Sequence, residues 1–248
     1  MKVLLKNQGK RVAHHADLGA LREYHIARKH EIKSRLEDFS RFRYGSYAWA
    51  YENGKLFLGA SKKNLDERLF EELSFCILTA NSSFTVGMKA INSIRNLLAE
   101  ADAGNLQKKL KAIRCRFHTK RAHYIASTRD YLENEHNFRL SRLINSLSSD
   151  RNALRDFFAS NPGIKGIGYK EASHFLRNIG FSGYAILDKH VLSAMQEFGI
   201  TMEMKRPSNR AQYISLEGKL ADFSRKVGID FDELDLLLWS RKTGEVLK

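Results

Sequence analysis

A glycine-spaced turn between two helical segments is the feature that most constrains how this chain can fold. The turn, IKGIG (Ile164–Gly168), follows a helical run that ends at Asn161-Pro162 and precedes a second helix predicted from Tyr169 to Gly180. Because glycine has no Cβ, main-chain N–H groups here can approach a phosphate, and the positive end of the following helix adds to the attraction. The pattern is typical of a helix–hairpin–helix, which holds a DNA backbone without reading its sequence. Taken alone, it is equally typical of a plain interhelical connection.

The rest of the sequence also favours helices. Only two prolines occur in 248 residues, while Leu, Arg, Lys and Glu are frequent. A basic helix is predicted over 21–42, and apolar residues repeat at helical intervals after the capping-box sequence that begins at Asn64. Helix ends are predicted at Asp188, Gly199, Asp230 and Gly244. The sequence therefore predicts an all-α protein.

One segment departs from the helical period. Between Tyr47 and Gly59, apolar residues alternate on either side of Asn53-Gly54, a pair that accepts positive φ at both central positions of a tight turn. This predicts a short β-hairpin insertion over 47–59, for which the sequence suggests no function. We expect two helical subdomains flanking a cleft. A central bundle with the helix–hairpin–helix would span 65–185, and the chain ends, 1–64 plus 186–248, would form the second subdomain.

The net charge of +14 points to a polyanionic partner. Nucleic acid is favoured, because each neutralised phosphate releases counterions, although a generic basic surface would give the same charge. A membrane partner is disfavoured, since apolar runs such as Phe75–Ala80 are far shorter than the roughly 20 residues that span a bilayer. The first ten residues, MKVLLKNQGK, lack an apolar region of signal-peptide length.

The cysteine and histidine content argues against a metal centre. Cys76 and Cys115 are the only cysteines, too few for a four-cysteine iron–sulfur or zinc site, and Cys76 lies in an apolar run typical of a buried thiol. His118 and His123 have no acidic or cysteine partner at ligand spacing. We therefore expect no metal and a reducing, cytoplasmic location.

Lys170 and Asp188 are the candidate catalytic residues. Lys170 lies two residues beyond Gly168 at the start of a helix, where the helix dipole and partial burial would favour the neutral amine that attacks carbon. Asp188 could stabilise positive charge on a sugar ring or help to take up the lysine proton. A surface lysine and a plain capping aspartate are the alternatives, and Asp188 should cap its helix in either case.

These residues resemble a known group. The hairpin, the lysine and the later aspartate match the helix–hairpin–helix glycosylase superfamily that includes endonuclease III. Several segments are similar in sequence to the archaeal and bacterial 8-oxoguanine DNA glycosylase/lyase family, the second structural type. They are GIGYKEASHFLRNIG, AILDKHVL and ELDLLLWSRKTGEVLK, and ELSFCILTAN and RFHTKRAHYI also fit this family. The resemblance covers about residues 66–248. The chain lacks the cysteine quartet of endonuclease III, which agrees with the cluster-free type.

The resemblance implies a bifunctional enzyme of DNA repair. Such an enzyme flips 8-oxoguanine out of double-stranded DNA, excises it through a Schiff base on Lys170, with Asp188 as the partner carboxylate, and cleaves the strand by β-elimination. It needs no metal or organic cofactor, although hairpin carbonyls could hold a monovalent cation. Nothing in the sequence demands more than a monomer. We expect the enzyme to associate with the nucleoid through DNA.

The resemblance also implies roles in base recognition and DNA binding. Phe117 and Trp239 would stack on the base or line its pocket, and the main-chain carboxylate of Lys248 would help to recognise the damaged purine. Asn81 would fill the gap left by the flipped base, and His190 would contact a phosphate near the lesion. Hairpin and basic residues would bind the DNA backbone: Gly166, Gly168, Arg116 and Lys120, with Lys108, Lys109, Lys111, Arg114 and Arg121 in the same basic segment as Phe117. Without the resemblance, Phe117 and Trp239 would be interpreted as core aromatics.

Two alternatives stay open. The same chemistry could act on an oxidised pyrimidine or a bare abasic site, or the chain could be a non-catalytic helix–hairpin–helix module that only binds DNA. The second alternative explains the charge and the glycines, but not a lysine and an aspartate both at catalytic positions.

Overall fold

The fold in the computed structural model, which describes residues 17–248, is predominantly helical, with 66% of these residues in helices. The elements follow in the order α1 (Leu18–Tyr44), β1 (Tyr47–Glu52), β2 (Lys55–Ala60), α2 (Leu65–Thr79), α3 (Phe84–Ile94), a 3-10 turn (Arg95–Leu97), α4 (Ala103–Ala112), α5 (His118–His136), α6 (Leu140–Leu147), α7 (Arg151–Ser160), α8 (Tyr169–Asn178), α9 (Lys189–Glu197), α10 (Arg210–Val227) and α11 (Phe231–Thr243). The predicted all-α class is confirmed. The expectation for the first ten residues lies outside the described residues.

The predicted helix ends are found where the capping residues place them. Asn64 Oδ1 accepts a hydrogen bond from the main-chain N–H of Glu67 (3.0 Å), and the Glu67 side chain accepts one from the Asn64 N–H (2.8 Å), a complete capping box. Asp188 and Asp230 cap α9 and α11. The basic helix predicted over 21–42 is α1, which is a few residues longer at both ends.

The predicted β-hairpin is present, and Trp49 anchors it in the core. β1 and β2 pair antiparallel, with Glu52 opposite Lys55 across the Asn53-Gly54 turn, whose two residues have positive φ. Trp49 of β1 is buried against Phe39 and Phe42 of α1. The hairpin is thus packed into the molecule rather than added to its surface.

The central helix α2 is buried along most of its length and packs against α3, α5, α6 and α8. The two ends of the chain meet through α1 and α11. His25 Nε2 lies 2.6 Å from Glu233 Oε2, and Arg28 donates to the carbonyl of Gly244 (2.8 Å). The division into 65–185 and 1–64 plus 186–248 stays a prediction. In the described part of the chain, no helix combines the length and the apolar character needed to cross a bilayer.

Candidate active site

The turn between α7 and α8 is held against α5 by its glycines. Gly166 has a φ of +75°, and a Cβ at this position would lie 2.5 Å from Cδ2 of Tyr124. The main-chain N–H of Lys165 donates to Oγ1 of Thr128 (2.9 Å). Both contacts come from α5, so this helix sets the position of the turn and the start of α8.

Gly168 lies in a different environment. It is the N-cap of α8 in an extended conformation (φ −115°), and a Cβ would meet only Oε2 of Glu171, at an ordinary 3.5 Å. Within residues 17–248, no protein acceptor receives the main-chain N–H groups of Gly166, Ile167 or Gly168. These donors, at the positive end of α8, are suited to an anionic ligand such as a DNA phosphate.

Lys170 lies in the first turn of α8, with its side chain partly buried. Its Nζ atom is 3.1 Å from Oε1 of Glu171, a carboxylate that is largely buried as well. The sequence did not single out Glu171, since adjacent residues on a helix do not normally face each other. The amine of Lys170 therefore has a proton acceptor next to it.

Asp188 is fixed at both carboxylate oxygens. Oδ1 accepts the main-chain N–H groups of His190 (2.8 Å) and Val191 (2.9 Å), which caps α9 as predicted. Oδ2 accepts the indole N–H of Trp239 of α11 (3.2 Å). The ring of His190 in turn packs edge-on against that of Trp239. The carboxylate thus has one defined direction.

The segment before Asp188 is held by side chains from α8, α10 and α11. The N–H of Ile186 donates to Oδ1 of Asp235 (3.0 Å), and the other oxygen of Asp235 is paired with Arg177 of α8. Tyr213 of α10 donates its hydroxyl to the carbonyl of Ala185 (2.7 Å). Burial raises the pKa of Asp235 to about 6, while Arg177 acts to lower it. These bonds tie the helix that contains Lys170 to the segment that presents Asp188.

Asn81 and Phe117 lie in exposed loops with unusual backbone. Both have positive φ, 56° and 57°, and the Phe117 side chain is 55% exposed. Left-handed backbone at non-glycine residues stores strain and is concentrated at functional sites. An exposed aromatic ring in such a loop is not a core residue, which removes that alternative for Phe117.

Arg121 connects these two loops. Its guanidinium donates to the carbonyl of Ala80 and to Oγ of Ser82 (3.1 Å), on either side of Asn81, and it lies 5.9 Å from the centroid of the Phe117 ring. It is buried, so the expectation that Arg121 faces DNA with the other basic residues of its segment was wrong. The other basic residues of this segment are exposed: Lys108, Lys109, Lys111, Arg114, Arg116 and Lys120.

Lys248 and Trp239 have partners that the sequence did not reveal. The Lys248 side chain is buried and its Nζ atom is 2.5 Å from Oε2 of Glu72 in α2. Trp239 is partly buried and donates to Asp188, as described above. Their expected contacts with a base stay predictions. Among residues 17–248, no cluster of three or more His, Cys, Asp or Glu side chains could hold a metal ion.

Comparison with known proteins decides the family. The sequence model of a family described as "8-oxoguanine DNA glycosylase" matches residues 52–229. The chain belongs to this family. The class of enzyme expected from the sequence, a DNA glycosylase and abasic-site lyase, is thereby confirmed.

Relatives and solved structures agree with this result. The 8-oxoguanine DNA glycosylase/AP lyase of Korarchaeum cryptofilum is 40% identical over 187 residues, which is 75% of this chain and 86% of the relative. The Methanocaldococcus jannaschii 8-oxoguanine glycosylase/lyase, solved with a 15mer DNA containing 8-oxoguanine, has a TM-score of 0.77 and 32% identity. That match covers 93% of this chain and 99% of that one. The 8-oxoguanine DNA glycosylase of Thermotoga maritima has a TM-score of 0.75 and 33% identity, and covers 93% and 98%.

Proposed function

We propose that this enzyme excises 8-oxoguanine from double-stranded DNA through a Schiff base on Lys170 and then cleaves the strand by β-elimination. The observation that carries the proposal is the position of Lys170. It lies in the first turn of α8, next to the turn whose N–H groups have no acceptor among residues 17–248. Helix α8 is connected by Arg177 and Asp235 to the segment that presents Asp188.

The chemistry starts with the neutral amine of Lys170. Nζ attacks C1′ of the damaged nucleotide, the bond from C1′ to the base breaks, and the base leaves with the electron pair and takes up a proton. The sugar ring then opens to give an imine between Nζ and C1′. Loss of a proton from C2′ expels the 3′ phosphate, and water releases the lysine from the imine.

The carboxylates next to Lys170 and at the start of α9 would assist this sequence. Glu171, 3.1 Å from Nζ, is placed to take the proton that the amine releases. Asp188 would stabilise positive charge as it develops on the sugar, because its direction is fixed by the α9 N–H groups and by Trp239 before substrate arrives. The scheme uses only protein side chains and water, so we expect no metal or organic cofactor. A monovalent cation held by the hairpin carbonyls would assist DNA binding only.

Base extrusion requires the exposed loops. Unstacking a base costs a few kcal/mol, which stacking and gap-filling side chains can offset. We assign the gap-filling role to Asn81 and the stacking role to Phe117, with Trp239 lining the pocket and the main chain of Lys248 contacting the purine. His190, Arg116, Lys120 and the hairpin glycines would bind the DNA backbone, the enzyme acting as a monomer at the nucleoid.

The proposal is tested with Lys170→Gln and a duplex that contains one 8-oxoguanine. The variant should bind the duplex as the wild type does but release no base and cleave no strand, whereas Lys219→Gln, an exposed lysine of α10, should retain both activities. Strand cleavage by a pure Lys170→Gln preparation would contradict the assignment of the nucleophile.

The same assay separates the alternatives. Efficient excision of an oxidised pyrimidine but not of 8-oxoguanine by the wild type would change the lesion and keep the chemistry. Binding to every duplex with no cleavage of 8-oxoguanine or abasic DNA would leave only a DNA-binding module.

A further inference from the structure

The β1–β2 hairpin has no role in the chemistry proposed above, although one of its residues, Trp49, lies in the core. The family match begins at residue 52, so Trp49 of β1 falls outside it. Trp49 is nevertheless 2% exposed, and its ring faces the ammonium group of Lys248, whose Nζ lies 5.2 Å from the ring centroid. This contact joins the hairpin to the last residue of the sequence.

Four buried residues form a closed set of contacts, which we call the Lys248 ring: Trp49, Glu72, Asn178 and Lys248. The indole N–H of Trp49 donates to the carbonyl of Asn178 (3.3 Å). The amide of Asn178 donates to Oε1 of Glu72 (2.7 Å), and Nζ of Lys248 donates to Oε2 of Glu72 (2.5 Å). Each of the four residues contacts the next, and the face of the Trp49 indole completes the set by contacting Nζ of Lys248.

The charge in this ring is removed from water. The side chains of Lys248 and Glu72 are 1% and 3% exposed. A buried charge is tolerated only when it is paired, and loss of one partner is strongly destabilising. Phe75 covers the ammonium group on a further side, with Nζ 3.8 Å from its ring centroid. The Lys248 side chain is therefore fixed to α2 on several sides.

The Lys248 ring also contacts the helix of the nucleophile. Asn178 is the last residue of α8, the helix that begins next to Lys170. His174, between them on this helix, is buried and lies beside the main chain of Lys248. The Lys248 ring is thereby connected to the helix that contains Lys170.

We propose that the β1–β2 hairpin is a base-recognition support, in which Trp49 closes the Lys248 ring and so positions the Lys248 main chain against the flipped base. The inference rests on the proposed function, since it requires Lys248 to contact the damaged purine. Trp49, Glu72 and Asn178 are then positioning residues. They act on the choice and excision of the base, not on the chemistry of the sugar.

The test compares two reactions of the same preparations. Excision of 8-oxoguanine needs a correctly held base, whereas β-elimination on a duplex with a preformed abasic site has no base to recognise. Trp49→Ala should lower single-turnover excision by about ten-fold or more, as expected when a positioning contact is lost, and should change abasic-site cleavage by less than about two-fold. Trp49→Phe keeps an aromatic face for Lys248 but cannot donate to Asn178, so its loss of excision should be intermediate.

The control is Phe57→Ala, which removes a partly exposed ring from the partner strand of the same hairpin and should leave both reactions unchanged. Thermal unfolding of each variant checks that it is folded, and Trp49→Phe provides the test if Trp49→Ala does not fold. The proposal is supported if the variants lose excision but keep abasic-site cleavage, and if Trp49→Phe loses less excision than Trp49→Ala.

Two results would overturn it: folded Trp49 variants that excise 8-oxoguanine at the wild-type rate, or variants that lose both reactions in equal proportion. Failure of the proposed function can be distinguished from failure of this inference, because the wild type itself would then cleave abasic DNA without excising 8-oxoguanine.

Discussion

Gly166 and Gly168, in the turn between α7 and α8, should respond differently to substitution by alanine: the first change should lower stability and the second should lower DNA affinity. An alanine at Gly166 must adopt a φ of +75°, and its Cβ would lie 2.5 Å from the Tyr124 ring. Left-handed backbone costs an L-residue about 1–2 kcal/mol, and overpacking adds about 1–3 kcal/mol. We therefore expect Gly166→Ala to lower the free energy of unfolding by about 2–5 kcal/mol, which is roughly 4–20 °C in Tm.

Gly168→Ala should leave the fold intact. Its φ of −115° suits any residue, and the new Cβ has only an ordinary contact with Glu171. Stability should change by less than about 1 kcal/mol. If the N–H groups of the turn bind a phosphate, the added methyl group would block one charge-assisted hydrogen bond, worth about 1.5–3 kcal/mol. The Kd for a duplex should then rise by roughly 10–100-fold.

Thermal unfolding and DNA-binding titrations on both variants measure this contrast. Gly168→Ala removes no charge, so its affinity should fall without a change in the slope of log Kd against log salt concentration. Adding Tyr124→Ala to Gly166→Ala should recover the part of the stability lost to overpacking, but not the part due to φ. A Gly168→Ala variant that binds DNA as the wild type does would refute the phosphate-binding role of the turn.

Three further substitutions test other contacts of the site. Trp239→Phe removes the donor to Asp188 and should lower the single-turnover excision rate by about ten-fold with little change in DNA affinity; an unchanged rate would contradict the positioning of Asp188. Arg121→Met should lower stability by about 1–3 kcal/mol and reduce the fluorescence signal of base flipping from a 2-aminopurine beside the lesion, and normal flipping would show that the loops do not need this link. Burial lowers the pKa of His174 well below 6.5, so below about that pH the unfolded chain takes up a proton that the native state excludes, and stability falls by up to ~1.4 kcal/mol per pH unit. Between pH 7 and 5, the free energy of unfolding measured with urea should fall less for His174→Gln than for the wild type. Equal falls in the two proteins would exclude His174 as the cause.

Local signals in the sequence were sufficient for most of the fold. Capping residues act on N–H groups two or three positions away, so Asn64 and Asp188 identify their helices without knowledge of the rest of the molecule. The Asn53-Gly54 turn predicts the β-hairpin for the same reason, because its φ requirement is local.

The contacts that position the site residues could not be predicted from local signals, since they join residues far apart in the sequence. The sequence groups Arg121 with the basic residues of a DNA-facing segment, yet it is buried and donates a hydrogen bond to the carbonyl of Ala80, 41 positions earlier. The pairing of Lys248 with Glu72 joins residues 176 positions apart and leaves no periodic signal. A sequence pattern can propose a nucleophile, but not the side chains that hold its surroundings.

The most direct test of the central claim is borohydride trapping on a duplex with one 8-oxoguanine, followed by peptide mapping of the adduct. Reduction of the imine should give a covalent complex attached at Lys170, formed by the wild type on damaged DNA and absent with Lys170→Gln or undamaged DNA. An adduct at another lysine, or none with either 8-oxoguanine or an abasic site, would contradict the account.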